Sequence, residues 1–242
     1  AIPLILLEQP SMTVTDAFFE SFSGLTTTGA TVIEGIDFLP HSVQFYRQQL
    51  QWLGGMGIIV LAVAILPILG VGGMQLYRAE TPGPVKDNKM TPRIADTAKH
   101  LWYIYLSITI ACAGAYWLAG MSVFDAICHS FSTVAIGGFS NHDASLGYFN
   151  SPMVNVVCTV FLLIAALNFS LHYAAVSSRS VKGYFKDPEF KAFFIIQASL
   201  IGICFLVLTL SGYYSSAEQA LDQAMIQAVS ISTTAGFATT DF

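Results

Sequence analysis

The sequence predicts an all-α integral membrane protein built from a repeated unit: a spanning helix, a short helix that enters part-way, a glycine-bearing loop and a second spanning helix. Three observations predict it. Of 242 residues, 54% are hydrophobic and 10% charged, with mean hydropathy +0.62, against roughly 25% charged in a soluble domain. Asp, Glu, Lys and Arg are absent from residues 48–77, 101–124, 144–178 and 192–217, and each gap exceeds the ~20 residues a bilayer-crossing helix needs. One segment also recurs three times, with matching glycines 109 and 98 residues apart. The net charge of −5 argues against nucleic acid as a partner; the partner implied by this composition is the lipid bilayer.

The elements follow in order. Residues 1–77 hold the end of a first span (1–7), a first pore loop and a second span over about 44–69. Residues 78–97 form a polar loop. Residues 98–178 are a complete second unit, with spans over about 98–119 and 149–176. A second polar loop covers 179–190, and 191–242 begin a third unit, with a span over about 191–212 and a pore loop. The chain opens on Ala with no basic region before its first apolar run, unlike a signal peptide, and both ends read as cuts within a longer protein. Pro67 and the Gly70–Gly73 run are expected to end or kink the first unit's second span.

The repeat itself reads DAFFESFSGLTTTGAT over 16–31, DAICHSFSTVAIGGFS over 125–140 and QAMIQAVSISTTAGFA over 223–238. Without gaps, Ala17, Ala126 and Ala224 align, then Ser23, Ser132 and Ser230, then Gly29, Gly138 and Gly236. Three copies at this spacing point to a duplicated membrane unit rather than a short solenoid repeat. Each copy begins with a mixed-polarity segment of 11–13 residues lying between two full crossings, so it must enter the membrane and return on one side. Backbone at that depth is tolerated only where protein buries it or water lines it. The short segment satisfies itself as a half-helix with its negative end inward. After it, Thr26–Gly29, Ala135–Gly138 and Thr233–Gly236 are expected to run extended, their carbonyls free to replace the hydration shell of a monovalent cation. Glycine at the matching place fits a turn that a Cβ would hinder.

Charge sets an orientation. Arg78, Lys86, Lys89, Arg93 and Lys99 follow the first gap, and Arg179, Lys182, Lys186 and Lys191 follow the third. The positive-inside rule makes loops 78–99 and 179–191 cytoplasmic and the pore-loop mouths periplasmic. Segments 8–46, 125–143 and 218–241 carry ten acids and, Arg47 falling just beyond, no Lys or Arg. That surface fits a cation-attracting mouth or solvated loops beside the membrane.

With these motifs, with Trp52-Leu53-Gly54-Gly55-Met56-Gly57 in the second span, and with Gln75-Leu76-Tyr77-Arg78-Ala79-Glu80-Thr81-Pro82-Gly83-Pro84 and Lys86-Asp87-Asn88-Lys89-Met90 beyond it, the chain resembles the Trk/Ktr/HKT superfamily of potassium transporters. It resembles the bacterial Trk-system uptake proteins in particular. The resemblance implies four pore units in pseudo-fourfold array around one pore, of which the fourth lies outside this segment, as does the family's gating loop. It implies a potassium filter of Thr27, Thr28 and Gly29, then Ile136, Gly137 and Gly138, then Thr234, Ala235 and Gly236, with Thr26, Ala135 and Thr233 at its inner edge. It further implies potassium uptake across the bacterial inner membrane by a homodimer, gated by a cytoplasmic nucleotide-binding regulatory subunit of the TrkA type. The transported potassium ion is the only cofactor-like species expected. The chain has no GxGxxG motif or P-loop, so nucleotide control would come from that partner. The side chains differ among copies, which suggests a loosely selective ring favouring potassium and rubidium over sodium. Uptake coupled to sodium or protons is the alternative mechanism. An intramembrane enzyme is disfavoured, since the four gaps hold no acid and only His172 could act there.

Other residues have simpler expected roles. Cys112, Cys128, Cys158 and Cys204 lie singly in or beside apolar segments, as small core residues do. Gly54, Gly55 and Gly57 favour close helix packing, with a hinge as the alternative. His41, His129 and His142 are expected in a solvated vestibule and Arg47 beside Glu34 or Asp37, while Asn168 and His172 fit equally a functional polar group in the membrane and helix-to-helix hydrogen bonds.

Overall fold

The structure, a computed structural model, describes residues 1–6, 11–60 and 94–240. Among these residues there are helices and turns and no strand. In chain order the helices are α1 (Ile2–Ile5), α2 (Val14–Leu25), α3 (His41–Val60), α4 (Ile94–Leu118), α5 (Val123–Val134), α6 (Pro152–Ala165), α7 (Phe169–Ser178), α8 (Lys182–Lys186), α9 (Pro188–Ser211) and α10 (Ala217–Ser232). The expectations placed on Pro67, Gly70–Gly73, the basic residues Arg78–Arg93 and the motif at 75–90 lie outside the described residues.

The lead-in spans are α4 and α9. Ala98–Leu118 and Pro188–Ser211 are long and apolar enough to cross a membrane. Ile195, Ile203, Leu206 and Leu210 on α9 are exposed, a surface for lipid or another apolar partner rather than for water.

The second unit's second span is not the continuous helix expected over 149–176. It breaks between α6 and α7, which meet at an 85° bend. No Gly or Pro stands at Ala166–Asn168; the signal is Asn168, whose side-chain oxygen accepts from the Ser170 amide at 2.9 Å and starts a new helix. His172 Nε2 then donates to the Ile164 carbonyl at 3.0 Å, while Nδ1 accepts from the Tyr184 hydroxyl at 2.7 Å. A carbonyl at the end of α6 is thus satisfied, as backbone at such a break must be. His172 thus hydrogen-bonds helix to helix, from α7 to α6 and α8.

All three short helices begin on one device. The Thr13, Ser122 and Ser216 hydroxyls accept from the amides of Asp16, Asp125 and Gln219 at 3.2, 3.0 and 3.2 Å, each cap worth about 1 kcal/mol. Helices α2 and α5 have 12 residues, as expected; α10 has 16, with an extra turn at its N-terminal end.

Helix α3 crosses the ends of α2 and α5. A Cβ on Gly54 would stand 2.0 Å from the Leu25 carbonyl oxygen, and one on Gly55 would stand 2.9 Å from the Tyr105 hydroxyl and 3.1 Å from Ala135 Cα. Close packing therefore explains Gly54 and Gly55. A Cβ on Gly57 would meet nothing within 4 Å among the described residues. Tyr105 Oη donates to the Trp52 carbonyl at 3.0 Å, and Trp52 Nε1 to Thr109 Oγ1 at 3.0 Å, which ties α3 to α4. The core behind the pore loops joins Tyr116, Cys158, Leu162, Val229, Ala235 and Phe237. The cysteines are free, three buried and Cys204 half-buried, in keeping with packing roles.

Candidate functional site

Each short helix ends in the same way. Thr26, Ala135 and Thr233 close the helices at φ near −80°, and the next residue turns left-handed: Thr27 at φ 55°, Ile136 at 54° and Thr234 at 65°. The Thr27 amide donates to the Gly24 carbonyl at 3.0 Å and the Thr28 amide to the Ser23 carbonyl at 2.9 Å. Ile136 and Gly137 repeat the pair on Thr133 and Ser132, and Thr234 and Ala235 on Ile231 and Ser230. This is the Schellman cap, which uses up the last helical carbonyls and normally takes glycine. The expected extended stretch is therefore corrected: its first residue ends the helix and its second turns left-handed, where β-branched residues are rarest. Such a conformation costs about 1–3 kcal/mol and persists only where its surroundings impose it. Its occurrence at the same place in all three copies makes it a property of the repeated unit.

Two residues later Gly29, Gly138 and Gly236 turn left-handed again, at φ 78°, 74° and 81°. These glycines bring together three stretches of irregular backbone, the pore-loop strands. A Cβ on Gly29 would lie 2.1 Å from the Gly137 carbonyl oxygen and 3.8 Å from that of Ala235; one on Gly138 would lie 1.8 Å from the Ala235 oxygen. Strands 26–29, 135–138 and 233–236 thus share one axis, the second between the other two. The carbonyls of Gly137 and Ala235 each press on the glycine of the strand before. The C-terminal, electronegative ends of α2, α5 and α10 lead into this ring. Of the residues singled out from the sequence, Gly29, Gly137, Gly138, Ala235 and Gly236 meet here, and Thr27, Thr28, Ile136 and Thr234 lie on the same three segments. In the middle strand Gly137 is buried, as are Phe139 and Ser140 beyond it.

Of the side chains behind the strands, the sequence singled out Arg47 and His129, with other surroundings, but not Gln51 or Glu20. Gln51 on α3 donates from Nε2 to the Gly137 carbonyl at 2.6 Å and accepts from the Phe139 amide at 3.1 Å. Arg47 is fully buried. Its Nε donates to Glu20 Oε1 at 2.8 Å, Nη1 to the Ser140 carbonyl and Nη2 to Thr31 Oγ1, both at 3.2 Å, and its guanidinium lies over Phe139. The expected partners Glu34 and Asp37 are not its partners, because Glu20 comes from α2, beneath the strand. The repeat held a signal: Glu20 aligns with His129 and Gln227, a polar residue at one place in every short helix. His129 is fully buried, not in a solvated vestibule; its ring nitrogens meet the Asp125 carbonyl and Ser140 Oγ, both at 2.9 Å.

At the rim, His142 is likewise no free vestibule group. Its Nδ1 hydrogen-bonds Asp37, its Nε2 stands 3.4 Å from Asp125 Oδ1 at ion-pair distance, and its ring stacks on Tyr148. Asp143 Oδ1 in turn accepts from the Gly35 and Ile36 amides at 3.1 and 3.0 Å. These contacts latch the collar of the first loop to that of the second. Burial alone would lower the His142 pKa, but hydrogen bonds and charge from Asp125 and Asp37 leave it raised. Asp125 and Asp37 feel burial as an upward push, outweighed by His142 and neighbouring donors, and both titrate below the usual carboxylate range. The imidazolium's contribution is complete below the ordinary histidine pKa and lost as pH rises through its raised value. The carboxylates' share is present above about pH 4 and lost as pH falls through their lowered values. As pH rises from about 6.5 through the raised His142 value, the full-length wild type should lose roughly 1 kcal/mol of stability, the worth of a partly exposed pair, that His142→Gln does not lose, as thermal unfolding would read. Parallel curves would remove the latch.

The comparisons with known proteins bear on this ring. A family model described as TrkH, cation transport protein, matches residues 1–242. The Trk system potassium uptake protein TrkH of Vibrio parahaemolyticus is 67% identical over 244 residues, covering 100% of this chain and 50% of that protein. TrkH of Escherichia coli K12 is 64% identical over 239 residues, covering 99% and 50%. TrkI of Halomonas elongata is 37% identical over 247 residues, covering 100% and 48%. The crystal structure of the potassium transporter TrkH from Vibrio parahaemolyticus superposes with a TM-score of 0.86 at 62% identity, over 98% of this chain and 48% of that one. The chain spans about half the length of the relatives it matches.

Proposed function

We propose a function from the premise that this chain belongs to the TrkH family of cation transport proteins: it supplies three strands of a potassium filter in a membrane-embedded uptake protein. The observation that carries this is the convergence of three strands with one backbone geometry, left-handed at Thr27, Ile136 and Thr234 and again at Gly29, Gly138 and Gly236. Carbonyl oxygens gathered on an axis offer a dehydrated potassium ion what its water shell offered, and the negative ends of three half-helices favour the charge. The nine filter residues act through their main chain. This suits copies whose side chains range from glycine to isoleucine. A fourth strand, from the part of the relatives' length this chain does not cover, would close the ring beside Gly236, where a Cβ would meet open space.

The same reading puts the protein in the bacterial inner membrane. Arg179, Lys182, Lys186 and Lys191 lie together between α7 and the start of α9, while Asp16, Asp125 and Glu218 sit in the first turns of the half-helices. That separation supports a cytoplasmic loop 179–191 and a periplasmic rim. By family likeness the whole protein is a homodimer under a regulatory subunit of the TrkA type, and the ion passes as through a gated channel.

The test is potassium uptake by the full-length protein in cells lacking other potassium importers. Growth at low potassium should be restored, and currents should reverse at the potassium equilibrium potential. A fixed dependence on a sodium or proton gradient would replace the channel with coupled transport, and no potassium uptake at all would sink the reading.

A further inference from the structure

The filter reading leaves one feature unused, the polar face of α3. Gln44, Arg47, Gln48 and Gln51 fall at i, i+3, i+4 and i+7, on one side of the helix, and all four are buried. They belong to the first unit yet serve the second. Gln44 Nε2 donates to the Ile36 carbonyl at 2.9 Å and the Asn141 carbonyl at 3.1 Å, Arg47 reaches the Ser140 carbonyl, and Gln48 Nε2 reaches Asn141 Oδ1 at 3.4 Å. Gln51 bonds the middle strand on both sides of Gly138, at the Gly137 carbonyl and the Phe139 amide. The amide lies so close to the strand that a Cβ on Gly137 would stand 2.4 Å from Gln51 Cδ.

The outer strands are braced differently. Ser23 Oγ donates to the Ala30 carbonyl at 2.5 Å, and Ser230 Oγ to the Phe237 carbonyl at 2.7 Å. In both cases a half-helix serine holds the carbonyl just past its own filter glycine. The aligned Ser132 turns instead to its own helix, donating to the His129 carbonyl at 3.2 Å. The middle strand has exchanged this internal brace for an amide from the neighbouring unit. Nor does the next junction repeat the arrangement. Aligning Val43-Gln44 with Val154-Asn155 sets Cys158 opposite Arg47 and Leu162 opposite Gln51, and both pack in the apolar core with Ala235.

We propose that Gln51 is a positioning residue that sets the ion discrimination of the ring. Its amide nitrogen occupies one lone pair of the Gly137 oxygen and aims the other. Its carbonyl anchors the strand one residue past Gly138, so the strand can neither rotate nor widen without breaking a bond. Carbonyl spacing and dipole orientation are what separate potassium from sodium, so the clamp holds a selectivity the outer strands alone do not fix. This inference rests on the filter reading above.

The test compares wild type, Gln51→Leu and Gln51→Glu in the full-length protein, expressed with its cellular partners in cells lacking other potassium importers. Leucine is the residue of the equivalent place in the second unit and removes both bonds. Glutamate keeps the acceptor for Phe139 but sets a carboxylate against the Gly137 oxygen. Both variants should keep uptake while the potassium-to-sodium uptake ratio drops about fivefold, the factor of one ordinary hydrogen bond. A Gln51→Leu protein with wild-type melting temperature and an unchanged ratio overturns the clamp. Should Gln51→Leu fail to fold, the same ratio in Gln51→Glu decides. A wild type with no preference for potassium overturns the filter reading and the clamp with it, whereas a selective wild type with equally selective variants overturns the clamp alone.

Discussion

Gly138→Ala in the full-length protein is expected to reduce potassium uptake to background while the protein still reaches the membrane. Two costs coincide at this residue. Its φ of 74° lies in the left-handed region, where a Cβ costs about 1–2 kcal/mol. The larger cost is contact: the added carbon would stand 1.8 Å from the Ala235 carbonyl oxygen and 2.9 Å from its carbon, far inside the 3.5–4.0 Å of an ordinary contact. The middle strand cannot retreat, because Gln51 holds it on both sides of Gly138. The third strand must therefore swing away, and the Ala235 carbonyl leaves the ring. Gly120→Ala is the matched control. Gly120 also has a positive φ, 106°, but open space around it, in the turn after α4. Its substitution should carry the backbone cost alone and leave uptake intact. Equal uptake by both variants, at equal membrane abundance, would mean that the ring is scaffolding.

What the sequence disclosed, and what it hid, divides by range. The span and half-helix order is legible because hydropathy and repetition are local or periodic properties. The gapless alignment of Gly29, Gly138 and Gly236 fixes the strands to the residue. The conformation at Thr27, Ile136 and Thr234 was hidden, since propensity assigns β-branched residues to extended backbone and only the assembled site imposes a Schellman cap on them. The break after Ala165 was hidden as well, for neither Gly nor Pro marks it and Asn168 is an ordinary cap residue. The contacts behind the filter were the least visible. Gln51 meets a carbonyl 86 residues away and Arg47 one 93 residues away, so no window along the chain contains both partners. Their helical spacing was nevertheless present, as was the polar place shared by Glu20, His129 and Gln227. Those patterns point to a buried polar seam before they name its partner.

That seam makes Arg47 the most consequential single side chain outside the ring. Arg47→Ala should destabilise the full-length protein by about 3–5 kcal/mol, the usual cost of leaving one member of a buried ion pair uncompensated. Glu20 is fully buried, and its carboxylate otherwise has Thr31 and the Val32 amide for support. The Ser140 carbonyl would lose its donor at the same time. Glu20→Ala should cost a similar amount for the converse reason, a guanidinium stranded against Phe139. The pair is worth less than either loss suggests, because desolvating two charges offsets much of their attraction. The double variant Arg47→Ala with Glu20→Ala should therefore cost well below the sum of the two single variants. Thermal unfolding of the four proteins in one detergent measures this, as a double-mutant cycle. Additive losses would show that Arg47 and Glu20 act separately, Arg47 through Ser140 and Glu20 through Thr31. Rescue of stability without rescue of potassium selectivity would assign the pair a second role: holding the strand through Ser140 while Gln51 holds it through Gly137.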